Sequence, residues 1–149
     1  MKIPLILFVL FLITIVSCKR NTADTIYSVS YSIENGGKGA ASSSLLISKD
    51  STQYIWANYK ETKTRSEVTS SDTWKKIINS IKLVDFERIN SGKRRIQYDG
   101  SDVVITINAD KEYKLINGEE DSVNYTKIKP LEILLKQEYK KLDSLALHL

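Results

Sequence analysis

Apolar and polar positions first alternate with a period of two and later recur at helical spacing. Tyr27, Val29, Tyr31 and Ile33 alternate with Ser28, Ser30 and Ser32, which predicts a first strand with one packed and one solvated face. Residues 34–41 hold Asn35-Gly36-Gly37-Lys38-Gly39 and predict a glycine-rich connection. Leu45-Leu46-Ile47 mark a second strand over residues 43–49, turned by Lys49-Asp50-Ser51. A third strand covers residues 52–60, with Gln53, Ile55, Ala57 and Tyr59 on one face and Tyr54, Trp56 and Asn58 on the other. Residues 62–69 predict a polar fourth strand, in which Lys63, Arg65 and Glu67 alternate with Thr64, Ser66 and Val68. That charge suits a sheet edge.

The period then changes. Ser70-Ser71-Asp72 can cap a helix, and Trp74, Ile77, Ile78, Ile81 and Val84 follow on one helical stripe with Lys75, Lys76 and Lys82 off it. Phe86 and Ile89 suggest a short extended or turn segment before Asn90-Ser91-Gly92. Val103, Val104, Ile105 and Ile107 predict a strand over residues 102–108, and a turn returns it as a partner strand over residues 112–116. Residues 117–124 read as a polar loop. Pro130 suits the first turn of a final helix, whose buried stripe is Leu131, Leu134, Leu135, Tyr139 and Leu142. The expected fold is a two-layer α+β domain. It has a mostly antiparallel sheet of about six strands, two helices on one face and the order ββββ-α-ββ-α.

The first eighteen residues carry a different message. Lys2 precedes an apolar run over residues 3–16, interrupted in character only by Thr14, and Lys19-Arg20 stop it. The run suits a signal-peptide core and falls short of the roughly 20 residues that span a bilayer as a helix. Ile15-Val16-Ser17-Cys18 resembles the lipobox of bacterial lipoproteins. The resemblance implies cleavage before Cys18, lipid on its sulfur and an acylated new amino terminus, so that Cys18 holds the protein to a membrane. It also implies a leader over residues 1–17 and a lipidated cysteine and tether over 18–25; the remaining length is enough for one core, and a single domain over 26–146 is expected. Lys19 stands where inner-membrane retention would place Asp, and no acidic run follows Cys18. By the same resemblance, the expected address is the cell envelope, at the periplasmic side of an outer membrane.

Composition narrows the chemistry. Of 22 Lys and Arg only Lys2 lies in the leader, so the remaining 132 of 149 residues carry 21 bases against 18 acids, a net of +3. That balance is compatible with an anionic lipid surface and does not by itself make a nucleic-acid binder. Cys18 is the sole cysteine and His148 the sole histidine. Ser-His-Asp and Cys-His catalysis, intramolecular disulfides and His- or Cys-rich zinc sites are therefore excluded. No cofactor and no metal site is expected.

Four stretches remain as candidates. Gly37-Lys38-Gly39 lacks P-loop spacing and leads into a strand, so a hairpin loop is expected. Glu119-Glu120-Asp121 lacks EF-hand spacing and reads as solvated loop acids. Lys93-Arg94-Arg95, together with Arg88, could meet anionic groups; a solvated basic loop is the plainer reading. Tyr54 and Trp56 share a strand face and are either core or partner anchors, according to which face the helices cover; core is favoured. The expected function is a lipid-anchored, non-enzymatic envelope protein that presents its domain to a protein partner, as inhibitor, immunity factor or assembly accessory. A small-ligand or glycan-binding module using Tyr54, Trp56 and residues 36–39 is the alternative, and a hydrolase without His or Cys chemistry comes third.

Overall fold

The computed structural model describes residues 25–146. The leader, Cys18, the tether before Thr25, and His148 lie outside the described residues. Six strands and three α-helices follow in the order β1 (Ser28–Asn35), β2 (Ser42–Ser48), β3 (Ser51–Ala57), β4 (Thr62–Val68), α1 (Ser71–Asn79), α2 (Leu83–Phe86), β5 (Ser101–Asn108), β6 (Glu112–Ile116) and α3 (Lys129–Ala146). Short 3-10 turns occupy Ile96–Tyr98, Gly118–Glu120 and Tyr125–Ile128.

The strands form one open antiparallel sheet in the order β4-β3-β2-β1-β5-β6. Register follows the alternation of side chains. Tyr31 pairs with both Leu45 and Ile105, Val29 with Ile47 and Ile107, and Leu45 with Tyr54. All of these belong to one buried cluster, which Ile77 of α1, Phe86 of α2 and Leu131, Leu135 and Leu142 of α3 complete. A slip of one residue would turn each strand's apolar set to solvent. The opposite face carries Ser28, Ser30 and Ser32 of β1 beside Ser44 and Ser48 of β2.

The fold is α+β with a six-stranded antiparallel sheet, and among the described residues it has three helices where the stripe of apolar residues predicts two. Ser70 caps α1, its hydroxyl accepting from the Thr73 N–H at 3.0 Å. The helix stops at Asn79 because Ser80 donates its hydroxyl to the Ile77 carbonyl at 2.7 Å and Lys82 adopts an extended backbone. The chain restarts as α2 in a new direction. Val84, on the predicted buried stripe, is consequently 62% exposed. Phe86, expected in a turn or extended piece, closes α2 and is buried.

α3 contacts four strands, β1 to β4. Its Tyr139 ring meets Tyr31 and Tyr54 edge-on, each at 5.4 Å between centroids and 72° between planes. The Tyr139 hydroxyl bonds Ser43 Oγ, and Tyr54 Oη donates to Asp143. Among the described residues no buried side-chain nitrogen or oxygen lacks a partner. Burial, with Glu132 nearby, pushes the Tyr31 hydroxyl up to about 12. Burial and then the Asp143 hydrogen bond push Tyr54 upward as well. These tyrosines are structural at any ordinary pH.

If α3 holds the sheet in this way, Leu135→Ala costs about 2–5 kcal/mol through the cavity it leaves. Urea unfolding of the full chain followed by circular dichroism reads the value. A loss below about 1 kcal/mol would mean that α3 is not packed at that position.

Candidate interaction surface

The basic stretch is mostly spent on the protein itself. The chain after α2 runs along the outer edge of β6, where the Gly92 N–H donates to the Ile116 carbonyl at 2.7 Å and Ser91 Oγ accepts the Ile116 N–H at 3.1 Å. Lys93-Arg94-Arg95 then reaches Asp102, which is fully buried at the start of β5. The Asp102 carboxylate accepts the Arg95 backbone N–H at 2.7 Å, the Asn117 amide at 2.7 Å and Arg94 Nε. Asp102 also stands directly opposite Glu34 across the β1–β5 pair. Facing carboxylates destabilise a sheet; Arg94 bridges these two, its Nη2 lying 3.1 Å from Glu34.

Asn117 completes the latch. It is fully buried with a left-handed backbone at φ 47°, a conformation Asn tolerates better than most residues. Its amide donates to the Lys93 carbonyl at 2.6 Å and accepts the Val103 N–H at 2.8 Å. Arg95 Nη2 reaches Glu119 at 3.0 Å and Glu120 at 2.8 Å. The Lys93 backbone N–H adds 3.1 Å to Glu120. A Cβ on Gly92 would fall 2.6 Å from the Asn117 carbonyl oxygen, so the crossing requires glycine. Arg94 and Arg95, expected on a solvated basic loop, are therefore internal counter-ions. Lys93 remains exposed.

The electrostatics agree. Burial alone would raise Asp102, but the Arg95 N–H, Asn117 and Arg94 outweigh it and hold the carboxyl below its ordinary value. Arg95, followed by Lys93, lowers Glu120. Asp121 falls to about 2, chiefly through Asn124 and the Asn90 N–H. The acids of residues 119–121, expected to be simply solvated, each have a specific partner.

Tyr54 is fully buried beneath α3, and Trp56 is half-buried against the same cluster. α3 covers the sheet face that both share, so Tyr54 offers no surface to a partner, while Trp56 keeps part of its surface in solvent. The core alternative describes them.

The two most exposed aromatic residues, Tyr59 and Tyr98, stand instead at one end of the sheet. Antiparallel pairing places the β1–β2 loop, the β3–β4 turn and the start of β5 together at the end remote from Ile26. Asn58 builds the β3–β4 turn, its Oδ1 accepting the Lys60 and Glu61 N–H groups at 2.8 and 2.9 Å. The turn releases Tyr59, which is 74% exposed and has Lys60 Nζ 5.3 Å from its ring centre. Gly39, at φ +84°, lies against this ring; a Cβ there would come within 3.1 Å of it. Lys38, Gly39 and Tyr59 line a hollow of about 450 Å³. Across the loop, the Gly36 N–H donates to the Gly100 carbonyl at 2.8 Å, and Ile96–Tyr98 packs so closely that a Cβ on Gly36 would clash with the Ile96 carbonyl. Tyr98 on this turn is 81% exposed. Beside the tip, Ser32, Ser42, Ser44, Glu34, Ile55 and Ala57 border a hydroxyl-rich hollow of about 240 Å³ on the uncovered face.

The tip thus offers two aromatic rings, two lysine ammonium groups and a row of hydroxyls, which are groups that bind. Among the described residues no three His, Cys, Asp or Glu are placed to hold a metal ion. Of the tip, the sequence offers residues 36–39 as a candidate but not Tyr59 or Tyr98, because residue 59 continues the strand alternation past Asn58 and Tyr98 stands alone after the basic triplet. Comparison with known protein families and with curated proteins finds no match for the chain.

The latch yields a pH signature. A carboxyl depressed in the fold binds protons more readily when unfolded, so its contribution is complete above the unfolded value of about 3.9 and fades as pH falls through the folded one. Asp102→Asn should lose about 1–3 kcal/mol at pH 7 and show a shallower fall in stability below about pH 4 than the parent. Parallel urea titrations across pH check both; identical slopes would remove Asp102 from the account.

Proposed function

We propose that this chain is a lipid-anchored, non-enzymatic protein of the cell envelope that presents its tether-distal tip to a protein partner. On this reading Cys18 carries the lipid, the outer membrane holds it and the domain faces the periplasm. What supports the reading is the opposition of the two ends of β1. The strand begins at Ser28, just after the tether, and ends at Asn35, seven residues on, about 23 Å away at roughly 3.3 Å per residue. Tyr59 and Tyr98 stand exposed at that far end. Rigid aromatics with polar neighbours are the side chains on which interfaces concentrate their binding energy. Inhibition, immunity and assembly are all roles such a tip could serve.

A second reading, glycan binding, is favoured by one observation. The hydroxyl-rich hollow adjoins the tip, and stacking on Tyr59 with hydrogen bonds from serines is chemistry a sugar would use.

The test begins with the native protein from detergent-solubilised envelope. Its mass should show lipid on Cys18 and no leader; an intact Met1 and a bare thiol would end the anchored reading. The parent should recover a stoichiometric protein partner, and Tyr59→Ala combined with Tyr98→Ala should lower recovery tenfold or more, since about 1.4 kcal/mol lost is tenfold in affinity. Equal recovery by parent and variant would contradict the assignment of the tip. Binding to envelope glycans with no protein recovered would favour the second reading.

A further inference from the structure

At the tether end the three-helix side of the domain is open. Ile26, Ile78, Ile81, Leu83 and Val84 line an apolar groove of about 490 Å³. Ile26 stands two residues before β1. Val84, the outermost of the lining residues, is turned into solvent by the break at Ser80. Lys82 and Asp85 complete the rim; Asp85 has Lys127 Nζ at 3.7 Å, which leaves Lys82 to set the local charge. Tyr27, next to Ile26 in the chain, is 57% exposed, a residue type that favours membrane–water interfaces.

Position selects the occupant. Seven residues, 19–25, separate Cys18 from Ile26. With eight steps from Cys18 to Ile26 of at most about 3.3–3.6 Å each, they hold the groove within roughly 30 Å of the lipidated cysteine. An apolar groove with a basic rim, kept on so short a lead, meets acyl chains and anionic headgroups far more often than any other surface. We propose that the groove formed by Ile26, Ile78, Ile81, Leu83 and Val84 seats on the anionic lipid surface, with Val84 entering the interface and Lys82 meeting the headgroups. The inference rests on the lipidation of Cys18. It deepens that reading by fixing how the domain stands: seated at the tether end, it points Tyr59 and Tyr98 away from the bilayer.

The test uses the Cys18-lipidated full-length protein in vesicles of phosphatidylglycerol and phosphatidylethanolamine with brominated acyl chains, which quench tryptophan on contact. Val84→Trp and Tyr98→Trp replace exposed residues, and the parent supplies the background from Trp56 and Trp74. The emission added at position 84 should fall in brominated relative to ordinary vesicles, since interfacial apolar faces sit roughly 5–10 Å into the headgroup boundary. The emission added at position 98 should not change. Adding Lys82→Glu to Val84→Trp should weaken the quenching. A protein that floats with the vesicles yet shows no quenching at position 84 overturns the seating and leaves the anchor intact; the tether or another protein would then fill the groove. Failure to float overturns both.

Discussion

The packing of α3 across β1 to β4 is the contact on which the remaining features depend. Leu131, Leu135 and Leu142 are fully buried there, and each large side chain removed from water contributes roughly 1.5–3 kcal/mol. Burial alone would allow the helix to slide. The polar contacts fix its position: Tyr139 bonds Ser43, and Tyr54 bonds Asp143. A shift along the sheet would strand these groups at about 1–3 kcal/mol apiece. The helix therefore has one seat. The face it covers becomes the core and the serine-rich face is left bare.

The two ends of the sheet then acquire different characters. At the far end, the buried Asp102 gathers Arg94, the Arg95 N–H and Asn117. This fixes the segment from Gly92 to Gly100, and that segment carries Tyr98 and props the β1–β2 loop through Gly36. The charges that look like a binding patch in the sequence thus shape a different surface, one built from tyrosines. β6 is capped at its last residue, Ile116, by Ser91 and Gly92. The other edge, β4, carries alternating Lys63, Arg65 and Glu67, an arrangement that discourages stray strand pairing.

The legible parts of the fold were the local ones. Alternation located β1, β3 and β4, as Tyr31 against Ser30 and Ser32 shows, while apolar runs located β2 and β5 and a turn located β6 as the partner of β5. The stripes of α1 and α3 were equally clear, since Ile77, Leu131, Leu135 and Leu142 recur at helical spacing. Val84 escaped because the chain leaves the helix after Asn79 and turns extended at Lys82 before α2. The face of Tyr54 and Trp56 could not be settled by alternation, as Ile55 and Ala57 make the opposite face equally plausible. The fate of Arg94 was hidden by distance along the chain: Glu34 and Asp102 become neighbours only through the β1–β5 register. A charged residue leading directly into Val103-Val104-Ile105, with bases shortly before it, was the one available hint.

We propose that the working surface is the tether-distal tip, held outward by a domain anchored at its other end. Site-specific photo-crosslinking in intact cells measures this most directly, with a photoreactive phenylalanine analogue placed in turn at Tyr98, at Tyr59 and, on the bare face, at Ser30. The account predicts that positions 98 and 59 capture the same protein while position 30 captures none. Capture from position 30 alone, with silence at the tip, would contradict it.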